Sequence, residues 1–178
     1  MKKITITCML CMAALSMCLV YGCKKDDKDD VQNNAAPVQI EGYVNLGLPS
    51  GTLWKEENEV NAEEAGYDYW TYDDAMAVFG NQLPTLDQYN ELREKCQWTK
   101  IEGGYEVTGP NGNSIVFPAA GSGNLNHEVE GVGILGRYWT SSPSGDDAAW
   151  YFAFFLDNEN IMVGNGDRRY SDAVRLVH

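Results

Sequence analysis

The chain holds few residues able to do chemistry, and their spacing does not suit catalysis. His127 and His178 are its only imidazoles, and a serine or cysteine nucleophile needs such a base beside it. His127 sits next to Glu128 in a glycine-rich stretch, without a strained Gly-x-Ser-x-Gly elbow, and reads as a solvated loop residue. Glycoside hydrolysis needs two facing carboxylates. Acidic residues are abundant here, but nothing in the sequence singles out a pair. Asp157, Asn158, Glu159 and Asn160 offer hard oxygen donors, yet their spacing misses that of an EF-hand calcium loop. They read as a solvated turn, and a calcium site there would have to borrow Asp167 or Asp172. The expectation is a chain with no catalytic set, no metal site and no cofactor.

Binding through a surface is the chemistry that remains. Sugars present apolar C–H faces and hydroxyl edges, which aromatic rings, amides and carboxylates recognise together. Such a mixture gathers near the C-terminus, where Trp139 and Tyr151 read as core. The candidate ligand-binding residues are Trp150, Asn158, Asn160, Asn165, Asp167, Arg168, Arg169 and Tyr170. Trp150 also has a core reading. Arg168-Arg169-Tyr170 is the sharpest patch, two cations in acidic surroundings, with ion pairing to neighbouring acids as its alternative reading.

Charge narrows the partners. The 178 residues carry a formal net charge of −13, and residues 38–178 alone carry −14, from 8 basic and 22 acidic side chains. A field of that sign repels phosphate backbones, and no basic patch offsets it, so nucleic acid is excluded as a partner. Forty-four per cent hydrophobic residues, with 5 Trp and 10 Tyr, suffice to bury a core.

The N-terminus reads as an address. Lys2 and Lys3 precede an uncharged, mostly apolar run from Ile4 to Val20. Val20-Tyr21-Gly22-Cys23 resembles a bacterial lipobox, which implies cleavage before Cys23, a diacylglyceryl group on its sulfur and acylation of the new amino terminus. Several acyl chains make a durable membrane anchor. The expected division is a signal peptide over 1–22, lipidated Cys23 with a polar tether over 23–37, and a globular domain over 38–178. The Lys/Asp run in the tether resembles the export tags of Bacteroidetes surface lipoproteins, implying display on the outer face of the outer membrane. Cys8, Cys11 and Cys18 leave with the signal. Cys96 is then the one thiol in the domain, and its place on a helical stripe marks it as a core residue.

Two helices are well marked in the globular part. Thr71 with Asp74 opens Tyr72 to Val78, and Thr85 with Gln88 opens Leu86 to Cys96. Asn111-Gly112 signals a hairpin between strands at 105–108 and 114–117. Ala148 to Leu156 reads as a central strand, Ile161 to Val163 as another, Gly164 to Asp167 as a turn, and Ala173 to Val177 as a last strand. Residues 121–136, with five glycines and no clear period, read as a long loop.

Several stretches resemble, in order, the Fibrobacter succinogenes major paralogous domain family: Tyr43 to Trp54, Ala65 to Trp70, Leu83 to Leu92, Gly104 to Gly121, Arg137 to Ser142 and Ala173 to Val177. The resemblance implies an α+β, C-type-lectin-like fold. In that fold two helices flank a small antiparallel sheet with hairpins and long loops, and the chain ends pair. It departs at the acidic segment 55–64 and at Asp172, where a glycine is common. The paired C-terminal cysteines of formylglycine-generating relatives are missing. Gly109-Pro110-Asn111 lacks the acidic ligand of a sugar-binding calcium site, so neither activity carries over. The expected function is a cell-surface lipoprotein with a non-catalytic domain for a glycan or a surface protein. An adhesive assembly component of the envelope is the alternative, and a glycoside-acting enzyme the less favoured one.

Overall fold

The computed structural model describes residues 39–61, 68–126 and 128–178. The signal segment 1–22, Cys23, the tether 24–37 and His127 lie outside the described residues.

The two helices start where the capping residues put them. In α1 (Tyr72–Phe79) the Thr71 hydroxyl accepts from the Asp74 N–H at 3.2 Å. In α2 (Leu86–Lys95) Thr85 and Gln88 form a reciprocal capping box, the Gln88 side-chain oxygen accepting from the Thr85 N–H at 2.8 Å. Helix α1 buries Tyr72 and Ala75, and α2 buries Tyr89 and Leu92. Cys96 caps α2 half-buried against the main core. Burial and the nearby Glu91 push its thiol up to about 11, which leaves it protonated and unreactive near neutral pH.

Twelve short strands account for most of the regular structure among the described residues. β1 (Tyr43–Asn45) pairs with β2 (Leu53–Lys55). β4 (Gln97–Ile101), β5 (Gly104–Thr108) and β6 (Ser114–Pro118) form a meander whose second turn carries Gly112 at φ 87°. β9 (Leu135–Pro143), β10 (Ala148–Phe155) and β11 (Ile161–Asp167) form the largest sheet, with β10 in the middle. β3 (Trp70–Thr71), β12 (Ser171–Asp172), β7 (Ser122–Gly123) and β8 (Val129–Glu130) form a fourth, in the order β3-β12-β7-β8.

This corrects the expected α+β, C-type-lectin-like arrangement of two helices flanking one small sheet. The described residues are mostly β, in four sheets with two short helices. Part of the excess strand comes from segments whose glycines suggested loops and turns. The stretch 121–136 contributes β7, β8 and the start of β9. Gly121 there lies so close to the Glu130 carbonyl that a Cβ would stand 2.5 Å from its oxygen. Such a glycine permits close backbone approach as well as a turn. Gly164 to Asp167, expected as a turn, continues β11. The expected last strand at Ala173–Val177 is reduced to two bridges, Tyr138↔Ala173 and Trp54↔Val177.

Aromatic side chains dominate the core. Tyr89 stacks on Phe152 with centroids 4.8 Å apart, and Trp54, Phe117, Tyr138 and Phe154 surround them, all fully buried. One charged side chain lies among them. Arg175 is 1% exposed. Its Nε donates to Asn58 Oδ1 at 2.8 Å, Nη1 to the carbonyls of Lys55 (2.9 Å) and Glu56, and Nη2 to that of Val116 at 2.8 Å. The guanidinium also lies 4.7 Å from the centre of the Phe117 ring. One fork thus ties the C-terminal segment to the chain after β2 and to β6, using geometry an ammonium cannot copy. Replacing Arg175→Met leaves these acceptors without donors and is expected to lower the unfolding free energy by about 2–4 kcal/mol. Arg175→Lys should restore less than half of that loss, as read by urea denaturation.

Candidate functional site

A second arginine organises the surface. Arg137 on β9 stands beside Asp172 on β12, Nε to Oδ2 at 3.0 Å, with side chains 15% and 0% exposed. The N–H points off the line to that oxygen, which leaves the pair electrostatic without a full hydrogen bond. Asp172 Oδ1 accepts from the Ser122 hydroxyl at 2.7 Å. Burial raises the Asp172 carboxyl to about 6, and Arg137 and Ser122 offset it only in part.

Aromatic rings hold the guanidinium in place. Its carbon lies 4.0 Å from the centre of the Tyr151 ring, 5.4 Å from that of Tyr170 and 5.7 Å from that of Trp139. The Tyr151 ring has room because the facing strand is bare. A Cβ on Gly164 would stand 2.7 Å from Tyr151 Cζ, and one on Gly166 would stand 2.7 Å from Arg137 Nη2. These two glycines, two residues apart, clear one face of β11 for the ring and the arginine.

Arg137 opens into a concavity of about 400 Å³. Ser122, Asn124, Glu130, Asp157 and Tyr170 supply polar groups to its wall, and Leu135 and Phe155 supply apolar ones. Its rim carries Ile134, 49% exposed, from the same β8–β9 connection as exposed Val132. Amide, carboxylate, hydroxyl and aromatic groups therefore meet around one rigid cation.

The residues singled out in the sequence are divided between sites. Tyr170 lines this concavity. Arg168 does not: it pairs with Asp73, donates to the Asp146 carbonyl at 2.8 Å and lies 4.7 Å from the centre of the Tyr72 ring. Arg169 is clamped on Asp167 by Nε–Oδ1 (2.9 Å) and Nη2–Oδ2 (2.6 Å) contacts, which hold that carboxyl down at about 2. Both cations thus have local acids as partners. Trp150, half-buried, faces Asn165 across β10 and β11. Asn158 and Asn160 lie in the turn before β11, where Asn158 Oδ1 accepts the Asn160 N–H at 3.0 Å. The seven residues of β11, at ~3.3 Å rise each, put about 23 Å between that turn and Arg168. Trp139 is fully buried and donates Nε1–H to the Trp70 carbonyl at 2.8 Å.

Arg137, Ser122, Asn124 and Glu130 had no signal of their own in the sequence. The alternating glycines of Gly164-Asn165-Gly166 were the indirect one, since they strip one face of a strand. No group of three or more His, Cys, Asp or Glu among the described residues is placed to hold a metal ion. No helix among them is long and apolar enough to cross a membrane.

Comparison with known proteins found no matching family model, no matching curated protein and no matching solved structure.

Asp172 makes stability depend on pH. Between the ordinary 3.8 and about 6 the folded chain keeps a proton that the unfolded chain has lost. The contribution of this group is complete below about pH 4, falls as pH rises to about 6 and is level above that. Asp172→Asn removes this component. The stability difference between variant and parent, from urea midpoints, should therefore change between pH 4 and 6 and stay constant above pH 7.

Proposed function

We propose that this protein is a non-catalytic binding module held on the cell envelope by a lipid on Cys23, and that its ligand is a neutral glycan. The observation that carries the ligand half is the Arg137 concavity. Tyr170 offers a ring for an apolar sugar face, while Glu130 and Asp157 offer carboxylate acceptors for hydroxyl edges, and Asn124 holds Glu130 through its side-chain amide at 3.3 Å. The strong net negative charge disfavours anionic ligands. The lipobox-like stretch from Val20 to Cys23 and the polar tether support the anchored half.

Two measurements test this. Cys23→Ala should shift the chain from the membrane fraction to the soluble one, and equal membrane retention would overturn the anchor. On a glycan array the chain should select neutral oligosaccharides. Tyr170→Ala and Asn124→Ala should each weaken the selected binding at least about fivefold, roughly 1 kcal/mol, while Arg169→Ala should leave it intact. No array signal, or a signal indifferent to both substitutions, would overturn the site.

A further inference from the structure

On the far side of the meander, β6 leaves one edge open. Its odd-numbered residues face β5: Ile115 and Phe117 are opposite Val107 and Tyr105, and just past the strand the Ala119 N–H donates to the Gly103 carbonyl at 2.7 Å. In an antiparallel ladder the alternate residues then turn their backbone groups the other way. The Val116 carbonyl is taken by Arg175 and the Pro118 carbonyl by the Tyr138 hydroxyl, at 2.6 Å. The Val116 N–H on the same edge finds no partner among the described residues.

A cleft of about 600 Å³ runs along this edge, with residues 56–60 as its opposite wall. Two large apolar side chains stand exposed in it, Val116 at 44% and Val60 at 65%. Glu56, Glu57 and Asp68 also line it, and none has an ion-pair partner among the described residues. Arg175 is the only cation in the wall among the described residues. Four of its five N–H groups are taken by Asn58 and three backbone carbonyls, so it offers no two-pronged fork to an incoming carboxylate.

We propose that this cleft docks an extended, lysine- or arginine-bearing peptide segment of a partner protein, lying along the edge of β6. A carbonyl of the segment accepts the Val116 N–H, as in strand addition to a sheet edge. Side chains alternate along such a segment, so apolar ones cover Val60 and Val116 while basic ones reach Glu56, Glu57 and Asp68. The charge selects the occupant: three carboxylates without an ion-pair partner among the described residues, set around apolar surface, favour a cationic strand and reject an acidic one. The site is separate from the Arg137 concavity and does not depend on the glycan reading.

The test is fluorescence anisotropy of the full chain with a labelled heptapeptide of alternating Lys and Val, against the same peptide with Glu for Lys and against spermidine as competitor. The Lys/Val peptide should bind saturably, at least about tenfold tighter than the Glu/Val peptide, and weaken with added salt. Val116→Pro removes the outward N–H at a position where an edge strand tolerates proline, and should weaken binding about fivefold or more. Glu57→Gln combined with Asp68→Asn, which does not alter the strand, should weaken it comparably and flatten the salt dependence. Absence of saturable binding, displacement by spermidine as readily as by unlabelled peptide, or affinity unchanged in both variants would each overturn the proposal.

Discussion

A buried guanidinium with no carboxylate to neutralise it is the constraint around which the described residues are arranged. Burial lowers the Arg175 pKa from its ordinary value, yet the group has donors enough to meet four acceptors on two separate segments. A charge taken from water at this depth is tolerated only when its hydrogen bonds are replaced. Here they are replaced mostly by carbonyls that lie off the regular ladders, so cation and acceptors satisfy one another. Aromatic packing supplies the bulk of the apolar burial around it. Phe117 lies under the guanidinium, and burial pushes Tyr138 up to about 12, which keeps that hydroxyl protonated as a donor to Pro118.

Arg137 repeats the theme nearer the surface with a different balance. It has a carboxylate partner, but an imperfectly aimed one, and gains the rest of its support from ring faces. A cation held this way is rigid and only partly desolvated. That combination suits a recognition surface better than a core, since the neighbouring Tyr170, Asn124 and Asp157 are left open to solvent on one side. The Arg168 and Arg169 patch lacks this quality because each cation is matched by a nearby acid, which leaves little field for a ligand.

How much of this was legible depends on the distance over which each interaction acts. Helix starts at Thr71 and Thr85 followed from side chains reaching three residues along the chain, and the β5–β6 hairpin followed from Asn111-Gly112. The glycine-rich segments were misread for a physical reason. A glycine that permits a turn and one that lets a ring lie flat against a strand look alike in one dimension. Gly164 and Gly166 belong to the second kind, and Tyr151, whose ring occupies the space, is more than ten residues away. The candidate site was caught only in part for the same reason. Tyr170 was singled out by composition, whereas Arg137 acquires its role from β10, β12 and the 168–170 connection.

Local chemistry was enough to decide the net acidity, the two helix caps and one hairpin. These depend on neighbours within a turn or on sums over the whole chain. Folding alone decided that Arg175 is a buried tie, that Arg137 is stacked and paired, and that the polar residues around β11 fall at opposite ends of a strand. Arg175 reaches Asn58 across 117 positions and Arg137 reaches Asp172 across 35, and contacts of that span are set by how strands register and pack, which no local pattern encodes.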